Sequence, residues 1–211
     1  MRAQRRTRIK ICGVRDVETA LVSIEAGADA IGLVFHPDSP RHVSDHVAAV
    51  IAARLPVFAS AVALFVDAEP RRVRQVIDAV RPGLLQFHGD EDDGFCAQFG
   101  VPFIKAVPVR EEGDLLESAS HFPSARALLL DSAMHGSFGG SGVVFDWRAI
   151  PRTMASRIVL AGGLTPINVA MAVETVHPWA VDVSSGVERE RGVKDADLIR
   201  RFISEVRNAD V

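Results

Sequence analysis

The chain has 211 residues, 48% of them apolar and 24% charged, which is ordinary globular usage and excludes disorder. Its formal net charge of −3 argues against a general nucleic-acid or membrane-surface binder, and no run approaches the ~18 apolar residues that a membrane span needs. Two cysteines, Cys12 and Cys96, are too few for a disulfide framework in a chain this long, so a reducing cytoplasm is expected.

Residues 1–7 carry Arg2, Arg5 and Arg6 with no following apolar stretch, which reads as a frayed basic tail rather than a secretory signal. From there, short β-rich runs fall at 8–12, 30–34, 58–65, 84–87, 103–107, 127–131, 158–161 and 180–184. Helical stripes separate them. Val17, Ala20, Leu21 and Ile24 follow the first run; Val47, Val50 and Ile51 follow the second; Val73, Val76, Ile77 and Val80 follow the third. The pattern over 90–99 suggests a fourth helix with Cys96 in the core. After the sixth run the chain is glycine-rich over 136–142, and only a short piece near 146–150 has helical character. Thr165 is placed to cap a helix with Pro166 at its first position. Asp195 is placed to cap the last helix, whose apolar face is Leu198, Ile199, Phe202, Ile203 and Val206.

Alternating strands and helices with near-continuous apolar strands imply a parallel sheet buried on both faces. Eight units over residues 1–211 fit a single (β/α)₈ TIM barrel domain of near-minimal length. An open doubly wound sheet is the alternative, because periodicity does not reveal whether the eighth strand closes onto the first.

In such folds ligands bind where the carboxyl ends of the strands gather. The first run ends on Cys12-Gly13 and the sixth on Asp131-Ser132. An unpaired cysteine is more often a small buried hydrophobe than a nucleophile, and an aspartate there also suits a turn. Alternation places Lys10 and Cys12 on one face of the first strand, and Asp182 and Ser184 on one face of the eighth. Barrel closure would therefore set Asp182 near Lys10, relieving a buried ammonium and letting Lys10 favour the thiolate of Cys12. Gly162-Gly163 and Ser185-Gly186 follow the last two strands, where barrels often hold phosphate with backbone N–H groups. Arg41 sits in the proline-stiffened loop Pro37-Asp38-Ser39-Pro40-Arg41, and its planar fork suits a carboxylate. His88 ends the fourth strand with Gln86 on its face. No metal-ligand spacing is visible among the histidines and acids.

Taken together, these segments resemble the phosphoribosylanthranilate isomerase family. The likeness runs from Lys10-Ile11-Cys12-Gly13 through Gly32-Leu33-Val34-Phe35, Ser39-Pro40-Arg41, Gln86-Phe87-His88-Gly89 and Leu129-Leu130-Asp131-Ser132. It continues through Gly139-Gly140-Ser141-Gly142 and Phe145-Asp146-Trp147, then Leu160-Ala161-Gly162-Gly163-Leu164. It closes with Asp182-Val183-Ser184-Ser185-Gly186-Val187-Glu188 and Gly192-Val193-Lys194-Asp195. Phe87 stands where leucine is usual and Ser141 where threonine is usual.

The resemblance implies a (β/α)₈ enzyme of tryptophan biosynthesis that carries out an Amadori rearrangement. Asp131 would then be the general acid and Cys12 the general base. Arg41 would grip the anthranilate carboxylate and His88 would line the mouth. Gly162, Gly163, Ser184, Ser185 and Gly186 would hold the phosphate, with Asp182 beside them. The reaction has no redox step, so neither cofactor nor metal is expected. The partner is a small phosphorylated substrate, and the chain is expected to act as a monomer or homodimer. The related isomerisation of the histidine pathway typically uses aspartates in both roles, which Cys12 argues against. A barrel that binds a phosphorylated metabolite without turning it over is the alternative from another class. A doubly wound nucleotide-binding protein would require an early dinucleotide fingerprint, which the sequence around Gly27 and Gly32 lacks.

Overall fold

The computed structural model describes residues 6–108, 114–131 and 147–210. The glycine-rich tract 136–142, the first residue of the expected 146–150 helix and residues 1–5 of the expected tail lie outside them.

Eight parallel strands close into a barrel in sequence order. They are β1 (Arg8–Cys12), β2 (Ala30–Val34), β3 (Ser60–Phe65), β4 (Leu84–Phe87), β5 (Phe103–Pro108), β6 (Ala127–Asp131), β7 (Ile158–Leu160) and β8 (Ala180–Val183). The helices between them are α1 (Val17–Ala26), α2 (Asp45–Arg54), α3 (Pro70–Val80), α4 (Asp93–Ala97), α5 (Asp114–His121) and α6 (Val169–Val176), and α7 (Ala196–Ala209) follows β8. Closure is direct: β8 pairs with β1, with Lys10 opposite Asp182 and Ile11 opposite Val183. The open-sheet alternative is thereby excluded. Among the described residues no helix is long and apolar enough to cross a membrane.

The alternation of side chains sorts the barrel into two packed regions. Ile9, Ile11, Ile31, Leu33, Leu85, Phe87, Leu128, Leu130, Ile158, Leu160, Val181 and Val183 point outward and share one core with the helices. Ile104, Ala106, Ala127, Leu129, Val159, Ala161 and Ala180 fill the interior, while Cys12, Val34 and Leu64 pack together at the other level of it. Strands buried on both faces explain why the sequence runs are almost wholly apolar. The substitution of Phe87 is absorbed by stacking: its ring lies 6.0 Å from Phe65 and 5.9 Å from each of Phe95, Phe99 and Phe103.

Three expectations need correction. Of the stripe expected in α2, Ile51 is buried as expected but Val47 and Val50 are 37% and 40% exposed, and Ala48 is buried in their place. Thr165 does cap the chain here, its Oγ1 accepting from the Ile167 N–H at 3.2 Å, but what it caps is a turn ahead of α6 and not the helix itself. Residues 165–168 form a turn, and the helix begins at Val169. Asn168 ties that turn, its Oδ1 accepting from the Thr165 N–H at 2.8 Å and its Nδ2 donating to the Gly163 carbonyl at 2.9 Å. Residues 6 and 7, counted with the expected tail, are tied to the barrel. Thr7 is buried, with its N–H and hydroxyl donating to Asp210, and Arg6 pairs with Asp29. Asp195 caps α7 as expected, accepting from the N–H groups of Asp197 and Leu198. Trp147–Ala149 forms a single 3₁₀ turn.

One element was not anticipated. After β8, a 3₁₀ turn (Ser185–Val187) leads into a two-stranded antiparallel hairpin of β9 (Glu188–Glu190) and β10 (Val193–Lys194).

Candidate active site

The inward-pointing residues at the carboxyl ends of the strands converge on one rim. Cys12 closes β1 on the interior face shared with Lys10, and both side chains lie over Gly32 of β2. A Cβ built there would stand 2.8 Å from the Cys12 Sγ and 3.0 Å from the Lys10 Nζ. Lys10 Nζ bonds Asp182 Oδ1 at 2.8 Å, both side chains being almost wholly buried. The pairing expected from barrel closure is therefore present.

Burial alone would lower the Lys10 ammonium, but Asp182 and the nearby Cys12 outweigh it and hold Lys10 above its ordinary value. The effect on Cys12 differs from expectation. Burial pushes the thiol upward, and the opposing pull of Lys10 does not overcome it; Asp182 adds to the rise, while Lys194 opposes it. Lys10 thus restrains the shift of Cys12 without reversing it. Cys96 is fully buried in the outer core, where burial raises its thiol to about 12. The core reading holds for it.

On the facing side of the rim, Asp131 ends β6 on the interior face of Ala127 and Leu129. His88, one residue beyond β4, reaches across β5 so that its Nε2 lies 3.5 Å from Asp131 Oδ2. Its Nδ1 lies 3.1 Å from the buried Gln86 amide nitrogen. With that amide donating, Nδ1 accepts and Nε2 carries the proton toward Asp131. The loop bearing His88 is pinned from outside. Glu91 accepts from the N–H groups of Asp67 at 2.8 Å and Gly89 at 2.9 Å. Lys105 lies 3.4 Å from Glu91 and donates to the Gly89 carbonyl. Both charged groups are buried, so each supplies the other's counter-charge.

The β7 and β8 loops meet. A Cβ on Gly186 would stand 1.9 Å from the Leu164 carbonyl oxygen, so only glycine fits that crossing. Gly162 and Gly163 adopt φ of 76° and 67°, the left-handed region that glycine occupies without strain. Ser184 Oγ donates to the Cys12 carbonyl at 3.1 Å, joining β8 to the end of β1.

Arg41 crosses directly over the residue after Cys12. A side chain at Gly13 would meet Arg41 Cδ at 2.5 Å, so the missing Cβ makes room for it. Its guanidinium is held by Glu188 of the hairpin in a two-point grip, Nε to Oε1 at 2.7 Å and Nη2 to Oε2 at 2.8 Å. Lys194 donates to the same Glu188 Oε1 at 2.7 Å and to the Ser184 carbonyl at 2.9 Å. The Gly192 N–H adds a fourth bond to Glu188 at 3.1 Å. Burial would raise the Glu188 carboxyl, but the bonds from Arg41 and Lys194 draw it down to about 2. Burial lowers Lys194 against the pull of Glu188.

Cys12, Arg41, His88, Asp131, Asp182, Ser184, Ser185, Gly186, Gly162 and Gly163 therefore all sit at one end of the barrel. Sequence reasoning missed the supporting residues Glu188, Lys194, Asn168, Glu91 and Lys105. Glu188 and Lys194 stood in segments of the family resemblance, but nothing in their local pattern signals burial. A polar cavity of about 770 Å³ adjoins the Arg41–Glu188 cluster between the hairpin, α1 and α7, with Arg15, Asp16, Arg189 and Asp195 also among its lining. It shares Gly13, Gly192 and Lys194 with that cluster, while Cys12, His88 and Asp131 do not line it. Among the described residues no group of three or more His, Cys, Asp or Glu converges to hold a metal ion.

Known proteins match this arrangement along almost its whole length. The family model described as N-(5'phosphoribosyl)anthranilate (PRA) isomerase matches residues 9–205. The N-(5'-phosphoribosyl)anthranilate isomerase of Thiobacillus denitrificans is 52% identical over 200 residues, covering 95% of this chain and 98% of its own. A crystal structure of phosphoribosyl anthranilate isomerase from Thermotoga maritima superposes with a TM-score of 0.88 at 40% identity, covering 96% of this chain and 99% of its own. A second solved isomerase, in complex with reduced 1-(o-carboxyphenylamino)-1-deoxyribulose 5-phosphate, gives a TM-score of 0.81 at 37% identity with the same coverage. On this agreement of sequence and architecture, the chain belongs to the N-(5'-phosphoribosyl)anthranilate isomerase family.

Proposed function

We propose that this isomerase of tryptophan biosynthesis converts N-(5-phosphoribosyl)anthranilate to 1-(2-carboxyphenylamino)-1-deoxy-D-ribulose 5-phosphate, with Asp131 as general acid and Cys12 as general base. The observation that carries the reading is that both residues end inward-facing strand positions on the same rim, Asp131 beside His88 and Cys12 above Lys10.

Asp131 gives a proton to the furanose ring oxygen, the C1′–O bond breaks, and the anthranilate nitrogen becomes a cationic Schiff base. Cys12 then takes the C2′ proton, and the electron pair moves into an enolamine. Protonation of that enolamine at C1′, with loss of the C2′ hydroxyl proton, gives the aminoketose. Electrons stay within the substrate throughout, so the chemistry needs only placed proton donors and acceptors. Burial raises the Cys12 thiol, so it must first release its own proton to solvent before it can take the one at C2′. The iminium cation formed by ring opening supplies positive charge beside the sulfur only after substrate has bound, and Lys10 adds to it.

The meeting of the β7 and β8 loops at Gly186 and Leu164 supports phosphate binding by Gly162, Gly163, Ser184, Ser185 and Gly186. Arg41 is proposed to take the anthranilate carboxylate and His88 to line the mouth beside Asp131. Asp182 acts through Lys10, its bonded partner. The whole chain is read as one barrel domain. Every residue in this scheme comes from one chain, so the site is complete in a monomer and equally in a homodimer. Two unpaired cysteines fit a reducing cytoplasm.

The purified protein tests the reading directly. Incubation with N-(5-phosphoribosyl)anthranilate should consume it, followed by loss of its fluorescence. Absence of turnover in well-folded protein would remove the assignment.

A further inference from the structure

We infer that Glu188 is a specificity-determining positioning residue, which presents one edge of the Arg41 guanidinium to a substrate carboxylate. The inference rests on Arg41 being the carboxylate ligand and extends it to a residue that does not touch the substrate.

The geometry gives the reason. A guanidinium offers two flat edges that can each bind a carboxylate in parallel, Nε with Nη2 and Nη1 with Nη2. Glu188 occupies the first of these, through bonds of 2.7 and 2.8 Å. Among the described residues Nη1 has no hydrogen-bond partner, so the second edge stays available. Gly13 opens the space through which the Arg41 side chain passes, which sets its aliphatic stem beside the end of β1.

Glu188 is itself fixed with little freedom. Its side chain is 5% exposed and receives Arg41, Lys194 and the Gly192 N–H. Lys194 in turn is anchored on the Ser184 carbonyl, and Ser184 on the Cys12 carbonyl. The carboxylate grip and the reacting thiol are thus built on one connected frame.

Charge points the same way. Arg41 and Lys194 together carry two positive charges and Glu188 one negative charge. The cluster keeps a single net positive charge, which matches one carboxylate. Without Glu188 the guanidinium could rotate, and two repelling cations would share a buried site.

A substrate pair separates this role from a purely structural one. Glu188→Gln is assayed on N-(5-phosphoribosyl)anthranilate and on N-(5-phosphoribosyl)aniline, which lacks the carboxyl group. KM for the anthranilate compound should rise about tenfold or more, the scale expected for a lost charged hydrogen bond, while kcat changes much less. KM for the aniline compound should stay near that of the wild type, and its turnover also reports that the variant is folded. In an Arg41→Ala background, Glu188→Gln should add no further loss on the anthranilate compound. Equal loss on both compounds would overturn the positioning role of Glu188. If Arg41→Ala itself penalised both compounds equally, the carboxylate assignment would fail, and this inference with it. Should Glu188→Gln prove unfolded, the charge-balanced double variant Glu188→Gln/Lys194→Met is assayed on the same pair, with the same outcomes deciding.

Discussion

Lys10 and Asp182 face each other across the seam that closes the barrel, Nζ to Oδ1 at 2.8 Å, although 172 residues separate them in sequence. Both are buried, so each charge depends on the other. Removing one partner of such a pair leaves an uncompensated charge and typically costs about 3–5 kcal/mol. Lys10→Met should therefore lower the midpoint of chemical denaturation severely. Lys10→Met/Asp182→Leu should recover most of that loss, because a matched apolar pair leaves no charge behind. Denaturation curves of the two variants and the wild type check this. Equal destabilisation of the single and double variants would contradict it.

Loss of either proposed acid–base group should leave the fold and remove the rate. Cys12→Ser and Asp131→Asn are each expected to cut kcat by roughly 10²–10⁴, the usual worth of one acid–base role. Circular dichroism should be unchanged in both. Near-normal turnover in either variant would take that residue out of the mechanism.

The thiol of Cys12 is raised by burial while Lys10 pulls it back. Alkylation by iodoacetamide should therefore be slow at neutral pH, with its rise lying above the ordinary thiol value of 9.0. In Lys10→Met the rise should move to still higher pH, since the stabilising cation is gone. Mass spectrometry of the Cys12 peptide over a pH series measures this. A rise at or below neutral pH in the wild type would run against it.

Gly186 is a geometric switch for the phosphate loops. In Gly186→Ala the new methyl group collides with the Leu164 backbone, which is no flexible side chain and must shift. The β7 and β8 loops then separate. Inhibition by inorganic phosphate, or KM for the phosphorylated substrate, should weaken at least about tenfold, given that several backbone hydrogen bonds are misplaced together. Unchanged phosphate inhibition would dissociate those loops from phosphate binding.

Glu188 should make the protein acid-sensitive. Its carboxyl is held at about 2 in the folded chain against an ordinary value of 4.5. The unfolded chain takes up the proton first, so the stabilisation is complete above pH 4.5 and is lost as pH falls toward about 2. Glu188→Gln should be less stable than the wild type at neutral pH, with the gap closing through that window. Thermal melts at several pH values decide the point; a gap independent of pH would assign the loss to packing alone.

Much of the barrel could be read along the chain because its information is local. A strand buried on both faces must be apolar throughout, and a period of two fixes which residues share a face. Lys10 with Cys12, and Asp182 with Ser184, could therefore be paired before any coordinates, given closure. The segments around Cys12, Arg41, His88, Asp131 and Gly186 were specific enough to imply the family.

Other features have no local signature. The hairpin Glu188–Lys194 is short and charged, and nothing in its pattern distinguishes it from a solvated loop. Glu188 and Lys194 become interior residues only because Arg41, 147 positions away from Glu188, folds over Gly13 to meet them. Val47 and Val50 satisfy helical spacing with Ile51 as well as Ala48 does, and only the packing of α2 in the folded chain selects Ala48 and Ile51 for burial. The balance of charges around Cys12 was also undecided in sequence, where Lys10 alone argued for a thiolate. Burial opposes a charge according to how completely water is removed, and that depends on the closed barrel as a whole. Composition and periodicity determined which strands form and which faces turn inward; the closed three-dimensional arrangement alone decided which charges meet and how strongly each group holds its proton.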